Sequence, residues 1–367
     1  MTVPFIRAAG DPFSIGYQHG AARAAALRAF LDDDLARVGK LAPRPVSLPA
    51  LRPVLAQYDA RIAAAAPRLS EEVGGLAEGA RISREEAVLL QVRREIIGYQ
   101  RVPVPPGGDC TTYASLSAGP GGVPVLAQTV DLNGDLDDQI AVLEVGLSGS
   151  GRRALLLSFG GLLGYLGLNT DGLAIGLNLV LGGQWGPGLP PYLAIRYLLD
   201  NAGSVADALA ILPGLPLASS RSLMLCDTGS LACVELLDGD VRLVDSPQLV
   251  HTNHFLHPDF ARRDQLNVFA RNSSLLRLKA AVAGLAAFSG AGRPGRAVDE
   301  HFGLLSQPPI CVPGVGDIRR ERTVAAVVLL PGQGELHLRP GDPSASPTDV
   351  FRLADSDAAP AEGRSRS

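Results

Sequence analysis

Residues 102–109 read Val-Pro-Val-Pro-Pro-Gly-Gly-Asp. Such a run can continue neither a helix nor a central strand, because proline lacks the amide donor and glycine loosens the backbone. It divides the 367-residue chain into halves of different periodicity. Before it, Gly20 to Leu41 is rich in Ala and Leu with charges on a spaced face, and Leu51 to Leu69 continues that pattern between prolines. Ser83-Arg-Glu-Glu86 is a capping box, and Ala87 to Tyr99 follows with helical spacing. The Pro/Gly segment itself is expected to be an exposed, extended linker of the kind that is cut.

After Cys110 short aliphatic strands take over: Thr111 to Ser117, Val123 to Asp131, Ile140 to Leu147, Arg153 to Phe159 and Leu173 to Val180. Turn signals punctuate them at Gly119-Pro-Gly-Gly122, Ser148-Gly-Ser-Gly151 and Asp171-Gly172. Helices are expected at Pro190 to Asn201, at Val205 to Leu212 behind a Ser204 cap, at Asn272 to Leu285 and at Val298 to Leu305. Further strands are expected at 222–226, 231–237 and 241–244. A final hairpin, 323–330 with 335–339, turns on Pro331-Gly-Gln-Gly334. Strands joined by tight turns, with helical blocks between them, predict antiparallel sheets covered by helices: an α+β fold. No strand–helix alternation or phosphate-binding glycine motif accompanies them. The tail from Asp355 reads as disordered.

Apolar residues make up 46% of the chain, enough for a large core, and the net charge of −4 offers nothing to nucleic acid or an anionic membrane. The longest apolar run, Ala154 to Leu168, is too short for a membrane span and is broken by glycines. No basic-then-apolar leader opens the chain, so a cytoplasmic protein with reduced thiols is expected.

Four cysteines are present. Cys226 and Cys233 sit mid-strand among apolar neighbours and read as core. Cys311 lies in a Pro-rich loop with no visible activator. Cys110 differs, because it follows Gly-Gly-Asp and opens the first strand as Cys110-Thr-Thr-Tyr113. A thiol there can attack the carbonyl before it, shift the chain to a thioester, and leave Cys110 as a new N-terminus on hydrolysis. Its freed α-amino group, with an ordinary pKa of about 7.7–8.0, can serve as general base, so no histidine is required. The bland reading, an incidental core thiol, carries equal weight on composition alone. His251, His254 and His257 suggest zinc, but a strand would alternate their faces and a helix would spread them, so no metal is assigned. Asp135, Asp137 and Asp138 read as a solvated turn, and Asn169 as a turn residue.

Gly108-Asp-Cys-Thr-Thr112 resembles the processing site of the penicillin (isopenicillin N) acyltransferase family of N-terminal-nucleophile hydrolases. Phe13-Ser-Ile-Gly-Tyr-Gln-His-Gly20, Ala127-Gln-Thr-Val-Asp131, Gly167 to Asn178, Val250-His-Thr-Asn-His254, Asn272 to Arg277 and Leu336 to Gly341 resemble its other segments in the same order. The resemblance implies a four-layer αββα sandwich. It implies a helical pro-segment, 1–109, that stays attached to a catalytic part, 110–354, after cleavage between Asp109 and Cys110. Cys110 would be the nucleophile, Asn253 the oxyanion donor and Asp131 the group that orients the new amine. Thr111, Thr112, Tyr165, Asn178 and His251 are the candidate substrate-facing residues, with Trp185 beside Tyr165 as a possible pocket aromatic. No cofactor is implied. The partners would be a small-molecule amide or acyl-thioester and the two cleaved pieces themselves, with neither nucleic acid nor membrane. The expected reaction cleaves or forms a linear C–N amide through an acyl-thioester, as an amidohydrolase or an N-acyltransferase. Bile-salt and N-acyl amide hydrolases are the second enzyme reading, against which a leader of 109 residues weighs. An uncleaved, non-catalytic small-molecule-binding protein on the same fold is the alternative from another class. The family carries an Arg after the cysteine of the segment matching Ile310-Cys-Val312. Here that position is Val312, with Arg319, Arg320 and Arg322 as nearby stand-ins, and the change bears on β-lactam substrates rather than on amide chemistry.

Overall fold

The computed structural model describes residues 2–98, 110–116, 123–246, 248–288 and 294–353. The linker, the cleavage site at Asp109 and the tail from Asp355 lie outside these. The first block comprises β1 (Phe5–Gly10), α1 (Pro12–Asp32), α2 (Val38–Leu41), α3 (Leu48–Ala65), α4 (Pro67–Ala80) and α5 (Arg84–Ile97). Then come β2 (Thr111–Leu116), β3 (Pro124–Leu132), β4 (Ile140–Leu147), β5 (Arg153–Phe159), β6 (Leu166–Asn169) and β7 (Ala174–Leu179). Next are α6 (Pro191–Asn201), α7 (Val205–Ile211), β8 (Arg221–Cys226), β9 (Leu231–Leu237), β10 (Asp240–Leu243), β11 (Leu249–His251), α8 (Pro258–Ala261) and α9 (Val268–Ala287). The last elements are α10 (Pro294–Leu305), β12 (Arg322–Leu330), β13 (Glu335–Pro340) and β14 (Asp349–Arg352).

The strands form two sheets, one in the order β1-β4-β5-β6-β7-β8-β9-β10 and one in the order β11-β2-β3-β12-β13-β14. Helices α1, α6 and α7 cover the outer face of the larger sheet, while α9 and α10 cover the smaller one. The result is an αββα sandwich. Period-2 alternation shows why β12 is apolar throughout. Ala325, Val327 and Leu329 join the main core, whereas Ala326, Val328 and Leu330 join a second core that holds Ala281, Phe302 and Leu305 of α9 and α10. Gln128 of β3 links the sheets, donating to the Leu177 carbonyl at 2.8 Å and accepting the Leu177 N–H at 3.0 Å.

The capping box is formed: Ser83 accepts the Glu86 amide, and the Glu86 carboxylate accepts the Ser83 amide. Ser204 caps α7 as expected. The first block departs from the all-helical expectation, because β1 pairs in parallel with β4, Ile6 lying opposite Leu143. Six residues containing two alanines give little alternation to read, and the partner strand lies far along the chain. The expected 51–69 helix is two, α3 and α4, divided at Ala66 ahead of Pro67. Pro67 stands in the first turn of α4, where a missing amide donor costs no helical bond, while Pro53 is carried inside α3. Where α1 crosses α4, a Cβ on Gly16, Gly20, Gly75 or Gly79 would strike backbone of the other helix. These glycines let the two backbones touch, and weak Cα–H···O contacts replace side-chain packing. Among the described residues no helix is long and apolar enough to cross a membrane.

Candidate active site

Cys110 stands at the start of β2, 4% exposed. Its sulfur accepts the backbone N–H of Asp131 at 3.3 Å and lies 3.7 Å from the Asp131 carbonyl and 3.8 Å from the Tyr165 hydroxyl. The antiparallel pairing of β2 with β3, Thr111 opposite Thr129, brings Asp131 alongside the cysteine. The Asp131 carboxylate accepts the Thr323 hydroxyl at 2.7 Å from β12. Two donors converge on the Cys110 carbonyl, both at 2.8 Å: Nδ2 of Asn178 on β7 and Nη1 of Arg277 on α9.

Arg277 also donates to Thr111 Oγ1 at 3.2 Å and, through Nη2, to Asn253 Oδ1 at 2.7 Å. Asn253 in turn donates through Nδ2 to the Leu179 carbonyl at 2.9 Å. A fork of five donors suits this work, because it reaches several acceptors without moving. The Asn253 loop is held by Ser274, whose hydroxyl accepts the amides of Asn253 and His254 at 2.9 and 3.2 Å.

The cysteine opens into a cavity with mainly apolar walls, among them Phe30, Leu90, Leu136, Phe159, Leu162 and Leu179. Asp131 and Tyr165 share its lining, as do Arg93, Arg94 and Arg221. Tyr165 stacks on Tyr192 with ring centroids 5.1 Å apart, and burial drives its hydroxyl well above its ordinary pKa, so it stays protonated beside the sulfur.

The other candidates are placed elsewhere. Thr111 faces Arg277, and Thr112 faces Leu177 of the opposite sheet, as alternation along a strand requires. Asn178 meets the cysteine's backbone without lining the cavity. His251 spends both ring nitrogens internally, on Glu235 at 2.9 Å and the Thr252 carbonyl at 2.8 Å. His254 pairs with Ser274 at 2.7 Å, and burial lowers its pKa to about 4; His257 caps α8. Asn169 is consumed in the β6–β7 turn, donating to the Leu199 and Ala202 carbonyls. Trp185 bonds Ser220 and is absent from the cavity lining. Burial pushes the Cys226 and Cys233 thiols up to about 12, and burial with Asp342 beside it pushes Cys311 up to about 11.

Asp135 and Asp137 are not a bare solvated turn but pair with Arg322, while Asp138 pairs with Arg37. Arg322 is thereby engaged, Arg319 pairs with Asp317, and neither they nor Arg320 line the cavity.

Arg277 and the walls supplied by α1 and α5 escaped the sequence reading. For Arg277 a signal existed, since the buried positions of α9 are Ala270, Ser274, Arg277 and Ala281, a helical face with a serine and an arginine inside it.

Residues 117–286 match the family model described as acyl-coenzyme A:6-aminopenicillanic acid acyl-transferase. The chain is 27% identical over 261 residues to the 40 kDa form of acyl-coenzyme A:6-aminopenicillanic-acid acyltransferase of Emericella nidulans, covering 67% of this chain and 68% of that protein. Among solved structures, penicillin V acylase from Agrobacterium tumefaciens aligns with TM-score 0.46 at 17% identity, over 66% of this chain and 86% of its own. An N-acylethanolamine-hydrolyzing acid amidase ortholog from Caenorhabditis elegans aligns with TM-score 0.44 at 15% identity, over 67% of this chain and all of its own.

Proposed function

We propose that this chain, whose residues 117–286 match the acyl-coenzyme A:6-aminopenicillanic acid acyl-transferase family model, is a self-processing enzyme whose nucleophile is Cys110. The thiol attacks the carbonyl of Asp109, water resolves the thioester, and Cys110 becomes an N-terminus with its amine as base. In turnover the sulfur bonds to the acyl carbon as the C–N bond of the amide breaks, and the amine proton goes to the leaving nitrogen. Water or a second amine then takes the acyl group. The observation that carries this reading is the thiol at the mouth of β2, against Asp131 and opening into an apolar cavity.

Asn253 has a second amide hydrogen beyond the one given to Leu179, and that hydrogen is the proposed oxyanion donor. Such a donor contributes about 3–4 kcal/mol in comparable sites. Asp131, held by Thr323, orients the freed amine. Asn178 and Arg277 fix the Cys110 backbone so that sulfur and amine keep their places, a positioning role.

Intact mass of the purified protein tests this. Wild type should run as 1–109 plus 110–367, held together in solution, and Cys110→Ala as one piece without turnover of acyl amides. A whole wild-type chain that ignores a thiol-directed acylating probe would instead favour an uncleaved binding protein.

A further inference from the structure

Among the described residues, Arg93 lines the cavity beside Cys110 and has no carboxylate partner. Arg196 is held by Glu72 and Asp200, and Arg221 by Glu95. Arg93, from α5, donates Nε to the Ala36 carbonyl at 2.6 Å and lies 5.8 Å from the centre of the Phe30 ring. Its Nη2 is buried without a hydrogen-bond partner, and no carboxylate among the described residues pairs with it. Burial, with Arg94 and Arg37 adding charge of the same sign, lowers its pKa to about 9, and the Tyr192 phenol offsets only part of this. Room is kept for the guanidinium, because a Cβ on Gly134 would come within 2.5 Å of Nη2. A buried cation left without a counter-charge is costly, and an anionic ligand group removes that cost.

We propose that the cavity takes ligands whose apolar portion carries a carboxylate, and that Arg93 recognises the carboxylate. Calling such a ligand the substrate rests on the function proposed for Cys110. Arg93 lies in the first block, so that block would supply specificity while the cysteine supplies chemistry. A guanidinium suits the task because its planar fork matches a carboxylate's two oxygens.

Octanoate and octanamide are equal in length and differ in charge. Calorimetric titration of wild-type protein should show octanoate binding at least tenfold tighter. Arg93→Met should bring the two within twofold of each other while leaving octanamide affinity unchanged, which also reports that the variant is folded. Arg93→Lys should retain part of the preference. Equal binding by wild type, or a preference that survives in Arg93→Met, overturns the inference. These titrations need no turnover. Cleaved, probe-reactive protein without the preference would sink the carboxylate site alone, and a preference in uncut, unreactive protein would sink the role of Cys110 alone.

Discussion

Arg277 stands where the first residue of β2, the loop after β11 and the body of α9 meet, and its side chain is 1% exposed. Losing its fork leaves the Cys110 carbonyl, Thr111 and Asn253 each short of a donor in a dry site, where an unmade bond costs about 1–3 kcal/mol. Arg277→Lys keeps the charge but not the geometry. It should lower kcat at least 100-fold with little change in KM, while Arg277→Met should also lower the melting temperature. A change in KM alone would contradict the positioning role.

His301 offers a second residue-scale prediction. Its Nδ1 meets the Tyr113 hydroxyl at 3.1 Å, and burial lowers its pKa to about 4. In the unfolded chain the ordinary value is about 6.5, so between pH 6.5 and 4 the unfolded state binds the extra proton and stability falls as pH falls. Relative to His301→Gln, wild type should lose about 1.4 kcal/mol per pH unit in that window. Urea unfolding at pH 7, 6 and 5 measures the difference, and parallel curves would refute it. At this scale the sequence itself singled out Cys110 by its position and thiol chemistry, and the family resemblance added Asp131 and Asn253 as candidates. It could not show that Asn178 and Arg277 would meet on one carbonyl oxygen, because 68 and 167 residues separate them from Cys110.

Among the elements, α1 and α4 depend most on what is missing from their side chains. The glycines at 16 and 20 face those at 75 and 79, each four residues apart, one turn along its own helix. Gly79→Ala would drive a methyl into the Tyr17 carbonyl, and overpacking of this kind costs about 1–3 kcal/mol. Gly74→Ala, on the same helix, would meet only the tip of the Arg84 side chain at 3.1 Å. It should be neutral or stabilising by up to about 1 kcal/mol, because alanine outranks glycine as a helix former. Chemical denaturation of the two variants should separate them, and equal midpoints would deny the crossing its importance. The caps at Ser83 and Ser204 were legible in the chain, since capping is settled within three residues, whereas the role of Gly16 and Gly20 needed the facing helix to be known. The strand β1 was not, because its identity comes from a neighbour 137 residues away, Phe5 lying opposite Val142.

For the whole molecule, the junction at 109–110 matters because so much of the core crosses it. Glu72 of the first block grips Arg196 with two bonds of 2.9 Å, both side chains buried, and Glu95 accepts a single bond of 3.2 Å from Arg221, again with both buried. Gln91 donates to the Gly161 carbonyl and accepts the Leu163 amide, and β1 completes the larger sheet. A cut between the blocks should therefore leave one particle. Glu72→Ala leaves the buried Arg196 guanidinium with Asp200 as its carboxylate and two bonds short, and should cost about 1–3 kcal/mol, releasing the first piece at lower urea in size-exclusion runs. Glu72→Met with Arg196→Met should recover most of that loss, and failure to recover would mean that the charge was not the cause. What the sequence by itself determined was local: helix and strand periods, caps, turns, the break at 102–109 and the residue types able to do thiol chemistry. Each depends on neighbours a few positions apart. Only the tertiary structure decided the pairings, which put β1 beside β4, left Arg93 without a carboxylate partner among the described residues and brought Asn178 and Arg277 to Cys110. Those contacts depend on how two sheets and their helices close over one another, and loop closure across a hundred residues leaves no periodicity in the chain to read.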